Sequence, residues 1–135
     1  GGTRLVDDSY NASPAAVRAM LDALAKTPAA GRRVAVLGEM LELGSLARVL
    51  HETCGRAAAA ADLGALIVIG GPDAAGYADG AIAAGFPSSR VHRFTTSVEA
   101  ADAIGRIVMP GDLVLVKGSR GTRTDLVADR LAGVA

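Results

Sequence analysis

A doubly wound α/β sheet, mostly parallel, is the fold class this chain predicts, and three observations predict it. Short apolar runs alternate five times with helical patterns, over a length of 135 residues that suits one domain with one core. The runs at 65–69 and 113–116 are apolar throughout, as strands covered on both faces must be. The connections between runs are short, which suits strand–helix–strand units. Five to six strands with helices on both faces are therefore expected across residues 1–135.

Each element has its own signal. Leu5-Val6 begins a first strand that leads into Asp7-Asp8-Ser9-Tyr10-Asn11. Ser13-Pro14 reads as a helix N-cap followed by the first helical residue, where proline's missing N–H costs nothing. Val17, Met20, Leu21 and Leu24 then make one apolar stripe, ended by Pro28 and Gly31. Residues 33–37 form the second strand and 38–44 a loop. Helical spacing returns from Ser45, with Leu46, Val49, Leu50, Cys54 and Ala57 expected to face inward. A third strand at 65–69 ends in Gly70-Gly71-Pro72, an Ala-rich helix covers about 74–84, and Gly85-Phe86-Pro87 breaks it. Residues 90–94 make a short fourth strand. Ser97 caps the next helix, whose Val98, Ala101, Ile104 and Val108 are expected to face the core. Pro110-Gly111 turns into the fifth strand, Thr122 opens a helical pattern, and Leu126, Val127 and Leu131 mark the closing helix.

Bulk properties narrow the function classes. Hydrophobic residues make up 50% of the chain but aromatics only 3%, so the core is built from Ala, Val, Leu and Ile. Acidic and basic residues balance at 14 each. That balance removes the footprint of a nucleic-acid binder, and no Lys/Arg cluster points to an anionic membrane surface. Cys54 is the single cysteine, which excludes an intrachain disulfide and a Cys-based metal cluster and suits a reducing cytoplasm. No apolar run approaches the ~20 residues of a membrane span. Gly-Gly-Thr-Arg is not a natural start and a strand follows almost at once, so the chain reads as a piece of a longer protein.

In open α/β sheets ligands sit beyond the carboxyl ends of the strands. Three loops belong to that edge: 7–11, 38–44 and 117–120. They hold most of the unusual polar residues, whereas the turns of the opposite edge, 27–31 and 85–89, are ordinary breakers. Lys117, Ser119 and Arg120 bring two cations and a hydroxyl to the end of an apolar strand, an anion-binding corner or else a solvated basic turn. Arg120 can grip a carboxylate with a two-pronged guanidinium, while Lys117 is a point charge suited to phosphate or a developing oxyanion. Asp7-Asp8 ends a strand, where carboxylates can meet ribose hydroxyls or a metal-bound phosphate. Tyr10 and Asn11 suit stacking on, or hydrogen bonding to, a base; Asn11 equally suits a turn. Glu39 and Glu42 read as bases or ligand contacts, or, beside Met40, Leu41 and Leu43, as part of a domain-packing surface. His51 reads as a satisfied structural histidine, because no partner has metal-ligand spacing. Arg123 reads as a surface cation. The chain lacks Gly-x-x-x-x-Gly-Lys-[Ser/Thr], lacks Gly-x-Gly-x-x-Gly after the first strand, and lacks a Gly-x-Ser-x-Gly elbow, so it cannot cradle a triphosphate alone.

Three blocks carry a resemblance. Asp7-Asp8-Ser9-Tyr10-Asn11-Ala12-Ser13-Pro14, then Leu37-Gly38-Glu39-Met40-Leu41-Glu42-Leu43-Gly44 with His51 seven residues on, and finally Val114-Leu115-Val116-Lys117-Gly118-Ser119-Arg120 stand in order across nearly the whole chain. Together they resemble the Rossmann-like C-terminal domain of the ATP-dependent Mur ligases of peptidoglycan synthesis, in the form that adds D-alanyl-D-alanine to UDP-N-acetylmuramoyl-tripeptide. The resemblance implies a cytoplasmic three-domain ligase working through an acyl phosphate, with ATP and Mg bound mainly by a central domain outside this chain. Carried over by position, Asp8, Tyr10 and Asn11 face the nucleotide, and Lys117, Ser119 and Arg120 hold the dipeptide. Lys117 and Asn11 are the implied catalytic pair, and no metal site is expected in this chain. Ser13 departs from the family's usual asparagine, Glu39 from a common aspartate, and Thr124-Asp125 from a methionine–glutamate pair. The competing reading is a free-standing α/β ligand-binding or interaction module.

Overall fold

In the computed structural model, which describes residues 3–8, 12–118 and 120–133, five strands form one sheet: β1 (Arg4–Asp8), β2 (Arg33–Gly38), β3 (Ala65–Ile69), β4 (Val91–Phe94) and β5 (Leu113–Lys117). Their order is β1-β5-β2-β3-β4, and every neighbouring pair is parallel. The connecting helices are α1 (Pro14–Lys26), α2 (Ala47–Ala59), α3 (Ala75–Ala83) and α4 (Ser97–Ile107), with α5 (Asp125–Gly133) closing the chain. The expected doubly wound architecture is present, with five strands.

Alternation along the strands sorts the helices between the faces. Ala35, Leu37, Leu66, Val68 and Leu115 point to one side and bury α1, α2 and α3 through Val17, Leu21, Cys54, Ala58, Tyr77 and Ala81. Val34, Val36, Ile67, Val114 and Val116 point to the other and cover themselves with Ala100 and Ile104 of α4 and Val127 and Leu131 of α5. The three central strands β5, β2 and β3 are thus apolar on both faces, which is why they read as unbroken hydrophobic runs.

Local signals act as expected at α1, where the Ser13 hydroxyl accepts the Ala16 N–H at 3.2 Å and Pro14 takes the first position. Elsewhere several details differ. Leu46 and Val49 are 60% and 55% exposed rather than core-facing. The buried side of α2 carries Ala47, His51, Cys54, Gly55 and Ala58 instead. The reason is close backbone approach to α3: a Cβ on Gly55 would collide with the Tyr77 carbonyl, and one on Gly80 with that of Glu52. A face that tight admits only small residues, so apolar spacing misidentified it. The N-cap of α4 is Thr96, not Ser97; its hydroxyl accepts the Glu99 N–H at 3.3 Å. Ser97 turns inward and donates to the Thr122 carbonyl, while Val98 lies 59% exposed. Strand β4 starts at Val91, and a 3-10 turn over Arg120–Thr122 precedes α5.

The amino edge of the sheet is fastened by one buried carboxylate. Asp112 accepts from the Arg32 backbone N–H at 3.2 Å, from the Arg32 guanidinium at 3.3 and 2.8 Å, and from the Met109 N–H at 2.8 Å. Burial pushes its titration upward, but the Arg32 and Met109 hydrogen bonds outweigh burial and hold the carboxyl below the ordinary carboxylate value. A carboxyl lowered in the folded state stabilises above its unfolded pKa, and that contribution disappears as pH falls through the lowered value. Asp112→Asn is expected to cost about 2–4 kcal/mol at neutral pH. Urea unfolding between pH 7 and pH 3 checks both points: the loss of stability on acidification should be shallower in the variant than in the parent.

Candidate functional site

The strand order places three loops side by side. Lys117, the last residue of β5, stands opposite Asp8 of β1 on one side and opposite Leu37 of β2 on the other. The loops leaving these three strands therefore emerge from adjacent positions on the carboxyl edge. Helices α1 and α2 leave toward one face of the sheet and α5 toward the other, so the connections switch faces at β5, the position at which open α/β sheets receive ligands.

Lys117 is buried, with 4% of its surface exposed. A lysine this enclosed is uncommon and is held by its surroundings. Its backbone neighbourhood is equally tight. A Cβ on Gly38 would stand 2.5 Å from Thr124 Cγ2 and 2.9 Å from Thr122 Oγ1, and a Cβ on Gly118 would fall on the Thr124 hydroxyl. Thr124 is fully buried. It locks the start of α5 against the ends of β2 and β5, and its carbonyl accepts from Val127 and Ala128 as the helix begins.

Loop 38–44 is fastened at successive points. The Tyr77 hydroxyl donates to the Gly38 carbonyl at 2.9 Å. The Glu39 N–H donates to the Ile69 carbonyl at 2.9 Å, and Glu39 Oε1 accepts the Gly71 N–H at 2.8 Å. His51 Nε2 accepts the Met40 N–H at 2.9 Å, and its Nδ1 lies 2.7 Å from the Ala47 carbonyl. A carbonyl can only accept, so the proton sits on Nδ1 and the ring is neutral. Its ring packs edge-on against Tyr77 with centroids 4.7 Å apart. Burial, reinforced by the negative fields of Cys54 and Glu39, pushes the Tyr77 phenol well above its usual range, so it remains a donor. His51 is thus structural, as its sequence context indicated. Met40 is the exception to the expected surface loop: at 2% exposure it belongs to the core, and only Leu41 of the apolar trio is exposed. Cys54 is no nucleophile, since burial raises its thiol to about 11 despite the opposing charge of Arg18.

A cleft of about 520 Å³ opens beside this loop, lined by Glu39, Leu41, Val98, Thr122, Arg123 and Leu126 among others. Within it Arg123 is occupied by Asp125 through bonds of 3.0 and 3.0 Å. That pair holds Asp125 below the usual carboxylate range, through the hydrogen bond first. No group of three His, Cys, Asp or Glu among the described residues could hold a metal ion. No helix among them is long and apolar enough to cross a membrane.

Of the residues singled out in the sequence, Lys117 stands on the rim. The backbones of Asp8 and Arg120 stand there too, the first ending β1 and the second opening the 3-10 turn. Tyr10, Asn11 and Ser119 lie outside the described residues. Sequence reading missed Thr124 as the wedge, although the glycines ending β2 and following β5 were its signal. It also missed the bond from Glu39 to Gly71, which joins residues 32 apart in the chain and leaves no local pattern.

A doubly wound domain with a polar rim over β1, β5 and β2 belongs to the class of α/β domains that handle ligands at the carboxyl edge. Residues 1–120 match the family model described as "Mur ligase, glutamate ligase domain", and the chain belongs to the Mur ligase family. Among curated relatives it is 32% identical over 96% of its length to a UDP-N-acetylmuramoyl-tripeptide–D-alanyl-D-alanine ligase of Bacillus subtilis, and 38% identical over 96% to one of Mycobacterium tuberculosis. It spans only 28% and 29% of those two proteins. A MurF ligase from Thermotoga maritima, crystallised with ADP, superposes with a TM-score of 0.75 at 30% identity, covering 99% of this chain and 30% of that one. A MurF from Acinetobacter baumannii gives 0.76 at 29% identity, covering 95% and 28%.

The Thr124 wedge makes a definite prediction. Gly38→Ala should cost about 1–3 kcal/mol by overpacking. Thr124→Ser removes the nearest methyl, so the double variant should recover part of that loss, with a coupling of about 0.5–3 kcal/mol in a double-mutant cycle followed by urea unfolding.

Proposed function

We propose that this chain is the C-terminal, dipeptide-receiving domain of an ATP-dependent ligase that adds D-alanyl-D-alanine to UDP-N-acetylmuramoyl-tripeptide. The observation that carries the reading is Lys117, a buried lysine at the end of β5, between the ends of β1 and β2. The relatives that match nearly the whole chain bear that ligase's name, which supports the same reading.

ATP with Mg supplies the phosphoryl group that activates the tripeptide's terminal carboxylate as an acyl phosphate. This chain does not fit that group alone: its sequence lacks a triphosphate loop, and its described residues offer no metal cluster. Nucleotide and metal are therefore assigned mainly to the rest of the ligase. The rim of β1, with Asp8, Tyr10 and Asn11, is assigned to face the nucleotide across the domain cleft. Lys117, Ser119 and Arg120 hold the dipeptide, with Arg120 gripping its free carboxylate. The amine attacks the activated carbonyl carbon, a tetrahedral oxyanion forms, and phosphate departs with the proton that the attacking nitrogen gives up as the new amide closes. Holding the amine beside that carbonyl replaces a bimolecular encounter with a positioned one. The Lys117 charge stabilises the oxyanion, and Asn11 is assigned as its partner in catalysis.

In the full-length enzyme Arg120→Ala should raise the dipeptide KM about tenfold or more, and Arg120→Lys should restore little, since a point charge cannot replace a bidentate grip. KM for ATP should stay within about twofold, because the lost contact reaches only the dipeptide. Steady-state kinetics with each substrate varied in turn checks this; an unchanged dipeptide KM contradicts it. The 135-residue chain alone should show no ligation. Tight dipeptide binding by it would favour a free-standing binding module.

A further inference from the structure

We infer that the cleft between loop 38–44 and the start of α4 is the seat of the dipeptide's amino-terminal half, with Glu39 receiving its ammonium group. The inference rests on the dipeptide reading above and places the substrate's two ends.

Four features of the cleft select this ligand. It adjoins the Lys117–Arg120 segment, whose continuation through Thr122 and Arg123 forms one wall. Its volume of about 520 Å³ lies in the ~300–1,000 Å³ range of small-ligand sites. Its lining is apolar at Leu41, Val98 and Leu126, which suits short aliphatic side chains. Glu39 is the single carboxylate among the residues that line it. The Gly71 N–H fixes Glu39 at 2.8 Å, so the charge is already oriented before a ligand arrives. Arg123, the cation of the same cleft, is held by Asp125. The ligand's carboxylate is therefore left to Arg120, beyond the end of β5. An ammonium at Glu39 and a carboxylate at the cationic turn fix the dipeptide's direction, and a reversed ligand would meet like charges at both ends. Glu39 receives the ammonium form; once that ammonium gives a proton to solvent water, the amine loses its ionic hold there and is released toward the electrophile. Val98, 59% exposed at the lip, sets the room available to the first side chain.

Glu39→Gln is the informative substitution, because the amide oxygen still accepts the Gly71 N–H while the charge is removed. In the full-length enzyme it should raise the dipeptide KM about tenfold and leave KM for ATP and the thermal midpoint unchanged. Val98→Phe, at an exposed position, should raise the KM for D-alanyl-D-alanine further than that for a glycine-first dipeptide. In the 135-residue chain with labelled methyl groups, the dipeptide should shift Leu41, Val98 and Leu126. N-acetyl-D-alanyl-D-alanine, which lacks the ammonium, should shift them at least about fivefold more weakly. An unchanged dipeptide KM in Glu39→Gln overturns the assignment. So do shifts confined to methyls beside Lys117, such as those of Val116. Either result leaves the dipeptide reading standing if Arg120→Ala still raises KM. Failure of Arg120→Ala as well removes that reading too.

Discussion

Placing β5 between β1 and β2 is the constraint on which the rest depends. The first strand pairs with the last, so loops separated by about a hundred residues of sequence become neighbours on one rim. Lys117 arrives there because β5 is the central member of that trio, and its enclosure follows from having a strand on each side. An edge strand would deliver the same residue to solvent. Chain topology is thus what turns a basic turn into an enclosed charge.

Close contacts convert that adjacency into fixed geometry. Gly38 and Gly118 leave the space that Thr124 fills, which couples α5 to the ends of β2 and β5. Tyr77 and His51 reach from α3 and α2 to hold loop 38–44, and Glu39 ties the same loop to the turn after β3. Loop 38–44 is therefore an extension of the core, held by side chains with defined partners. Such support is what a site requires when it acts by positioning its ligand.

Much of the fold was legible in the sequence because its strands carry their burial in their composition. Leu113, Val114, Leu115 and Val116 announce a strand covered on both sides, and Ser13-Pro14 announces a helix start. The faces of α2 and α4 were less legible. Leu46, Val49 and Val98 have apolar side chains at helical spacing yet face outward, because α2 buries alanines, a glycine, Cys54 and His51, and α4 buries Ser97, Ala100 and Ile104. Hydrophobicity scales do not register a surface selected for thinness. At the site, the adjacency of the ends of β1, β5 and β2 was readable once a parallel sheet was assumed. The wedge at Thr124 and the bond from Glu39 to Gly71 were not, since each joins segments distant in the chain through a single side chain.

The Asp112–Arg32 clamp belongs to the opposite edge from the rim, a full strand length away. Anchorage and ligand chemistry are thereby assigned to different ends of the same strands. Substitutions distant from each other, with no shared partners, tend to act independently. The carboxyl loops can then diversify under selection for new acceptors while the amino-edge fastening keeps the sheet intact. A scaffold arranged this way separates the residues free to vary from those that must hold.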